Sequence, residues 1–327
     1  MHKRKGGRRF LAILIAVLTL ILIVFACACV RDDSFFGQNG LSGEEREILD
    51  GGLSVHFIDV GEGNCTVVKL PDGKVFMFDT GRKSDKSKKK IKSLLEELSV
   101  NKIDYLVLSH PDEEHTGGLD FILENYSVER VYLPKVLFPE DAAEFDAVYG
   151  NIPEENIFHP KKYDIISGDD YRFCFLSADS LVLKDPTEFE KDAISPVIYF
   201  EYAGVRFVFT SDTVKEVLSD IATDYYSGVL GMVFKKLGAE VNLKSVDYFS
   251  VGTHGGNSAF SESFFDLLSP KNAIISVGDN YVGHPSISTL EGLLIANEEC
   301  KVYRTDMFGT VSVLIDKNGK TDTKLER

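Results

Sequence analysis

Short apolar runs of strand length recur along the chain from residue 53 onward, and turn residues separate them. Asp72-Gly73, a strong hairpin signal, joins the second run to the third. The run at 105–108 is continuously apolar, as in a strand buried on both faces. The pattern predicts strands at 53–60, 66–70, 74–79, 105–108, 130–133, 171–176, 197–202, 205–210, 248–251, 273–277 and 311–315.

Helical periodicity appears between several of these strands. After Lys86, apolar residues follow the i, i+3, i+4, i+7 spacing of one helix face, at Ile91, Leu94, Leu95 and Leu98. Further helices are predicted at about 214–222, 261–268 and 287–296. A meander followed by alternating strands and helices predicts a mixed sheet with helices packed outside it. We find no internal repeat and no second domain boundary after residue 53.

The N-terminus has a different pattern. Five basic residues within positions 3–9 precede residues 10–30, which contain no charge and reach ~30 Å as a helix, about the thickness of a membrane core. The basic flank predicts that 1–30 is a membrane anchor or signal and that the rest lies outside the cytoplasm. A single-pass signal anchor and a lipoprotein lipidated at Cys27 are both open, with simple secretion and a buried core helix less favoured. Residues 31–52 are polar and predict a linker, and 53–327 the main domain.

Charge and cysteine content narrow the possible partners. The chain carries a net charge of −15, and without the five basic residues before the predicted membrane segment the remainder carries about −20. Such a domain repels polyanions, so we expect no strong non-specific nucleic-acid binding. Protein partners cannot be inferred.

Past the anchor, Cys65, Cys174 and Cys300 are an odd set without zinc-ribbon spacing. Burial as apolar side chains is the preferred interpretation, although one disulfide stays possible.

Polar side chains follow four of the predicted strands, at Asp79, His110, Asp212 and His254. Carboxylates and imidazoles are costly to bury unless they pair or bind a cation, so their recurrence at strand ends indicates a metal cleft. Any one of these histidines alone would more often be a hydrogen-bonded loop residue.

The densest group of candidate ligands lies in residues 110–115, His-Pro-Asp-Glu-Glu-His, followed by Thr-Gly-Gly-Leu. Four side chains able to bind a metal fall within six residues: His110, Asp112, Glu114 and His115. Such a loop could serve a two-metal site. The alternative is an acidic helix-capping loop with two incidental histidines.

The loop after Leu-Val-Leu-Ser resembles the HxHxDH signature of the metallo-β-lactamase superfamily, and its surroundings resemble the ComEC-like subgroup, the hydrolase domain of competence DNA-uptake proteins. Further matching segments lie, in order, at 56–64, 78–81, 209–212, 251–256, 283–285 and 303–311. The resemblance covers nearly all of 53–315. It implies a four-layer αββα sandwich and a metal-dependent hydrolase that uses a metal-bound hydroxide.

The resemblance also implies roles for individual residues. Asp79 would orient the ligand loop, and Asp59 would support the site structurally. The metal ligands would be His110 and Asp112 at a first ion, Glu114, His115 and His254 at a second, and Asp212 between them. Glu114 or Asp112 would act as general base, and His284 as general acid or substrate contact. The implied cofactor is one or two divalent ions, Mn or Zn.

Several positions depart from the family pattern. Asp112 stands where the wider superfamily has His, and an oxygen-rich first site would favour Mn²⁺ over Zn²⁺. Glu114 replaces Asp, Asn64 replaces an acidic residue, and Thr253 replaces the first His of a pair. Residues 192–195 stand where an Asn-rich run leading to Ser is expected, which predicts a thinner polar contribution to the first site.

Three functions follow as hypotheses. The leading one is hydrolysis of a phosphodiester by a nuclease-like enzyme. The departures and the acidic surface favour a second, a catalytically decayed extracytoplasmic accessory or binding protein. A third is a cell-envelope phosphoester hydrolase, which suits an acidic domain tethered outside the membrane. We do not expect the role of the competence proteins in DNA import to apply to this chain, because no channel helices accompany the domain in this sequence.

Overall fold

The computed structural model describes residues 52–135, 147–178 and 188–327, with the backbone alone at 188–190. These residues belong to a compact unit that spans Ser42–Arg327. No helix within the described ranges has the length and apolar character to cross a bilayer. The predicted membrane segment at 1–30, and the predicted linker up to residue 51, lie outside the described residues.

Within the described chain, eight strands form the first sheet, in the spatial order β15-β14-β1-β2-β3-β4-β5-β6. Their bounds are β1 (Leu53–Phe57), β2 (Thr66–Lys69), β3 (Val75–Phe78), β4 (Lys102–Val107), β5 (Ser127–Tyr132), β6 (Ile157–Phe158), β14 (Val311–Ile315) and β15 (Thr321–Leu325). Pairing is antiparallel from β15 to β3 and parallel from β3 to β6. The sheet is therefore mixed.

Seven strands form the second sheet, in the order β13-β12-β11-β10-β9-β8-β7. Their bounds are β7 (Ile165–Ser167), β8 (Tyr171–Ser177), β9 (Val197–Tyr202), β10 (Val205–Phe209), β11 (Tyr248–Val251), β12 (Asn272–Ile275) and β13 (Lys301–Arg304). The strands from β10 to β13 are parallel, and β7 to β10 are antiparallel. The described helices are α1 (Asp85–Glu97), α2 (Glu113–Thr116), α3 (Leu119–Asn125), α4 (Glu188–Ala193), α5 (Lys215–Tyr226), α6 (Val229–Lys236), α7 (Glu262–Leu268), α8 (Ile287–Ala296) and α9 (Thr305–Phe308).

Three apolar clusters define four layers. The middle cluster joins side chains of both sheets and is rich in phenylalanine, with Phe173 stacked between Phe76 and Phe200. A second cluster packs α5 to α8 on the outer face of the second sheet, and a third packs α1 and α3 on the outer face of the first. The predicted two-sheet sandwich with outer helices is confirmed for the described residues.

The predicted strands are all present, with ends that differ by up to three residues. Four strands were not predicted, β6, β7, β13 and β15. β6 has two residues and β7 has three, too short for a periodic signal. β15 is mostly polar and lies at the edge of the first sheet, where it pairs only with β14. The three cysteines past the anchor are buried and free, as preferred from sequence.

His56 gives the fold a specific pH dependence. In β1, Leu53, Val55 and Phe57 face the inter-sheet core, so His56 points to the outer face of the sheet. Its ring nitrogens lie 2.8 Å from Ser312 Oγ and 2.8 Å from Ser54 Oγ. Burial lowers the pKa of His56 from 6.5 to about 4. The folded protein therefore holds this imidazole neutral.

We expect the His56 contribution to stability to be complete above pH 6.5 and to be lost as the pH falls toward 4. In that window the unfolded chain binds a proton that the folded chain does not, which corresponds to roughly 3 kcal/mol. Urea unfolding at pH 7.5 and 4.5 measures it. His56→Gln should lose less stability between the two pH values than the parent does. The control His159→Gln, at an exposed histidine, should lose as much as the parent. Equal pH slopes for the parent and His56→Gln would contradict the assignment.

Candidate metal centre

The candidate ligands lie in loops that leave strands of both sheets. Asp79 follows β3 and His110 follows β4, two parallel neighbours in the first sheet. Asp212 follows β10 and His254 follows β11, which are parallel neighbours in the second sheet. Carboxyl ends of parallel strands meet at one edge of a sheet, so each pair of loops converges, and contacts between the two pairs then join the edges.

Asp79 organises this junction. Its carboxylate is fully buried and accepts hydrogen bonds from Ser109 N at 2.8 Å, Ser109 Oγ at 2.9 Å and Ser211 Oγ at 2.9 Å. It also lies 2.8 Å from His115 Nδ1. Because a carboxylate only accepts, His115 donates its Nδ1 proton here and directs Nε2 the opposite way. Asp79 thus contacts a candidate ligand and connects loops of both sheets, and its role in orienting the ligand loop stays a prediction.

Close backbone packing fixes the ligand loop against the loop after β3. Thr80 N donates to His115 O at 2.6 Å, and Gly81 forms a parallel bridge with Thr116. Gly118 lies so near this loop that a Cβ there would meet Thr80 O at 2.2 Å. A residue without a side chain is therefore required at Gly118, which explains the glycines that follow His115.

Three buried polar atoms near one another have no hydrogen-bond partner within the described residues: His115 Nε2, Asp212 Oδ1 and His254 Nε2. His115 Nε2 lies 3.3 Å from Asp212 Oδ1, and His254 Nε2 lies 3.7 Å from Asp212 Oδ2. His254 Nδ1 donates to Ser276 O at 2.8 Å, so its Nε2 is directed toward Asp212. Buried polar atoms are costly without partners, and a divalent cation among these three would satisfy them. The donor set therefore fits a metal.

The charges in this group are strongly coupled. Burial disfavours an ionised Asp212, but the facing His115 and His254 outweigh it and hold the pKa of the carboxyl far below its usual range. Burial likewise opposes a proton on His115, yet Asp212 and Asp79 raise the pKa of that imidazole. The pKa of His110 is lowered, mainly by burial and then by the neighbouring His115. A negative carboxylate between imidazoles is the arrangement expected where a cation binds.

Another group of candidate ligands, at the predicted first ion, adjoins the group of His115, Asp212 and His254. His110 Nε2 lies 3.7 Å from Asp112 Oδ2 and 3.9 Å from Asp192 Oδ1. His110 also groups with His115 and Asp212, and the ligand atoms of each group lie within 4.8 Å of one another. His110 therefore lies between the two candidate positions and places them side by side, whereas His254 belongs to neither of these two sets.

The remaining predicted residues occupy several environments. Glu114 is half-buried, and its carboxylate belongs to neither ligand group. His284 lies beside the group of His115, Asp212 and His254, with its ring centroid 6.2 Å from that of His254. Asp59 pairs with Lys90 at 2.7 Å and with Arg327 at 2.6 Å, and accepts from Gly61 N at 3.3 Å. It thereby holds the start of the turn at 61–64, and its supporting role stays a prediction.

Two residues of the site were not predicted from sequence, Glu62 and Asp192. Glu62 Oε1 lies 3.0 Å from His284 Nδ1, while Glu62 Oε2 accepts from Gly278 N at 2.8 Å. Asn280 completes this arrangement by accepting from His284 N at 2.9 Å. An acidic residue between two turn glycines, Gly61 and Gly63, was the available signal for Glu62. Asp192 had been expected to thin the site, and instead it brings a carboxylate to His110.

The comparisons with known proteins agree with this geometry. The family model described as "Metallo-beta-lactamase superfamily" matches residues 58–278. "ComE operon protein 3" of Bacillus subtilis (strain 168) is 28% identical over 277 residues, which are 79% of this chain and 32% of that protein. The chain therefore spans about a third of the length of this curated relative. The predicted resemblance to ComEC-like proteins is confirmed.

Solved structures were also matched. The "CmlA beta-hydroxylase E377D mutant" is 12% identical with a TM-score of 0.47, and the match covers 80% of this chain and 54% of that one. The metallo-beta-lactamase fold protein YhfI from Bacillus subtilis is 8% identical with a TM-score of 0.47, covering 84% of this chain and 100% of that one. The match of the family model across two thirds of the sequence identifies this chain as a member of the metallo-beta-lactamase superfamily.

Proposed function

We propose that this protein is a metal-dependent phosphodiesterase, with a nuclease-like site, that acts outside the cytoplasm from a membrane anchor. The observation that carries the proposal is that three buried atoms without a hydrogen bond, on His115, Asp212 and His254, lie next to another group of candidate ligands, His110, Asp112 and Asp192. Two neighbouring cation positions suit phosphoryl chemistry, in which charge develops on both the attacking and the leaving oxygen.

Divalent ions held there, Mn²⁺ or Zn²⁺, would lower the pKa of a water and polarise the phosphoryl oxygen. The chain's own residues would do the remaining work. Asp79 and the Ser276 carbonyl fix the ring orientation of His115 and His254. Such partners hold ligands in productive geometry, and their loss typically weakens metal affinity 10- to 100-fold, as an order of magnitude.

Proton transfer would fall to side chains at the rim of the site. Glu62 accepts a hydrogen bond from His284 Nδ1, so Nε2 is the ring nitrogen that would face a substrate. His284 would donate a proton to the leaving oxygen. Asp112 belongs to a ligand group and Glu114 does not, so Glu114 is the carboxylate we assign as proton acceptor.

A second candidate, hydrolysis of phosphorylated cell-envelope polymers, is favoured by charge. At −15 overall, the chain is poorly suited to long polyanions such as duplex DNA. A tethered acidic enzyme would more readily take an isolated phosphodiester within a polymer of low charge density. Both candidates use the same residues and differ only in the substrate beyond the reacting phosphate.

We expect the full-length protein in detergent to hold one or two Mn or Zn ions per chain and to cleave bis-p-nitrophenyl phosphate. Activity should disappear with EDTA and return with Mn²⁺, and p-nitrophenyl acetate should be a far poorer substrate. Ion content by mass spectrometry and p-nitrophenol release measure these results. Preferred cleavage of the acetate would contradict the phosphodiesterase assignment. A chain that binds no ion after Mn²⁺ reconstitution would instead be an accessory protein.

A further inference from the structure

We propose that Asp192 is a ligand of the first ion and that, with Asp112 and His110, it makes this position selective for Mn²⁺. The second position, formed by His115, His254 and Asp212, would then accept Zn²⁺ more readily. The inference deepens the proposed function and rests on it for the presence of two ions. It assigns a role to a residue outside the ligand loop.

Hydrogen bonds aim His110 at the two carboxylates. His110 is 1% exposed, and its Nδ1 lies 3.0 Å from Ser109 Oγ and 3.3 Å from Ser195 Oγ. With Nδ1 held by two hydroxyls, Nε2 is the nitrogen left for a ligand, and it lies within 4 Å of a carboxylate oxygen of both Asp112 and Asp192. The hydrogen bonds at Nδ1 thus orient the imidazole so that Nε2 can bind an ion.

The separations suit a single ion. Two ligands that each lie about 2.2 Å from a cation are themselves roughly 3 to 4 Å apart in octahedral or tetrahedral geometry. His110 Nε2 is 3.7 Å from Asp112 and 3.9 Å from Asp192. All three ligand atoms lie within 4.8 Å of one another, so small side-chain adjustments would complete the coordination.

The segment that carries Asp192 is fixed to the rest of the centre. Asp192 lies near the end of α4, and Ser195 N donates to Asp192 O at 2.9 Å. Ser195 contacts His110 through its hydroxyl, and its carbonyl accepts from Thr213 Oγ1 at 3.0 Å. Since Thr213 follows Asp212, residues 192–195 connect the first position to the loop of the second.

An independent observation points to an ion beside this group. His115 Nε2, Asp212 Oδ1 and His254 Nε2 are buried without hydrogen-bond partners in the described part of the chain. The ring centroids of His110 and His115 are 4.2 Å apart. The carboxylates of Asp112 and Asp192 therefore adjoin a group of buried atoms that a cation would satisfy.

The two positions differ in ligand chemistry. The first has two carboxylates and one imidazole, and the second has two imidazoles and one carboxylate. Carboxylate oxygens favour hard cations such as Mn²⁺, and imidazole suits Zn²⁺. The carboxylate of Asp192 adds a negative charge that partly offsets the charge of a cation and strengthens the preference for Mn²⁺.

The test measures Mn²⁺ and Zn²⁺ binding to the full-length protein by ion counting, calorimetry and Mn²⁺ electron paramagnetic resonance. Asp192→Ala should bind Mn²⁺ at least about tenfold more weakly and retain one ion rather than two. Asp192→His should shift the ratio of Zn²⁺ to Mn²⁺ affinity toward Zn²⁺ by at least about tenfold. Asp170→Ala, at an exposed aspartate, is the matched control and should leave both affinities unchanged.

Unchanged Mn²⁺ affinity and stoichiometry in Asp192→Ala would overturn the proposal, as would an Asp192→His protein with the parent's metal preference. If Asp192→Ala does not fold, Asp192→Asn keeps the size of the side chain and should show the same loss of Mn²⁺. These readouts do not depend on turnover. A parent that cleaves no phosphodiester but loses Mn²⁺ on substitution at Asp192 would refute the proposed reaction and leave the ligand assignment standing.

Discussion

Replacing Asp212 with alanine should lower phosphodiester hydrolysis by about 1000-fold, equivalent to about 4 kcal/mol, and should remove at least one bound ion. Asp212 is the carboxylate that faces both His115 and His254, at 3.3 and 3.7 Å. Without it, the two imidazoles would face each other with no intervening negative charge, and an ion would lose a charged ligand common to both sides. Steady-state rates with bis-p-nitrophenyl phosphate and ion content together measure the effect.

The matched control is Asp220→Ala, which removes an exposed carboxylate from α5, eight positions farther along the chain. It should retain the ions and the rate. Asp212→Asn addresses folding, because the amide keeps the shape of the side chain. An Asp212→Ala protein that folds, keeps two ions and hydrolyses substrate at the parent rate would show that the reaction does not use this centre.

Replacing Phe173 with alanine should lower the free energy of unfolding by about 3 to 5 kcal/mol, the range typical of a large aromatic removed from a core. Phe173 is fully buried and stacks on Phe76 with centroids 4.1 Å apart and on Phe200 with centroids 4.3 Å apart. The three rings come from both sheets, so the close packing of the inter-sheet layer would be interrupted and the neighbours could fill the cavity only in part.

Urea unfolding at pH 7.5 measures the loss. Phe158→Ala removes the same type of side chain from an exposed position, 40% accessible, and should cost less than about 1 kcal/mol. Similar losses at the two positions would mean that the stacked rings do not hold the sheets together more strongly than a surface contact does.

Much of the fold could be predicted because its strands are buried and therefore apolar. β9, β11 and β14 were predicted with their observed bounds, since each is a compact apolar run between turn signals. β7 was missed because three residues are too few to show a period, and β13 was missed because it begins and ends with a basic residue and is only partly buried. Their pairing depends on neighbours far along the chain rather than on their own composition.

The candidate ligands could be predicted in part for the same reason. His110 and Asp212 follow apolar runs at the ends of strands, where a buried charged or imidazole side chain needs an explanation. Glu62 and Asp192 lie in polar segments, where an acidic residue is ordinary. Glu62 contacts His284, which lies 222 residues farther along the chain, and Asp192 contacts His110 across roughly 80 residues. Only the folded chain brings these residues together.

The ligands of the centre come from loops of both sheets, so an ion bound there would connect the two halves of the sandwich. Such an ion binds the native state alone, and at a free concentration 100 times its dissociation constant it would add about 2.7 kcal/mol to the native state. Protein made during metal starvation would then unfold more often and be degraded sooner. The amount of this protein would thus follow the supply of the metal itself.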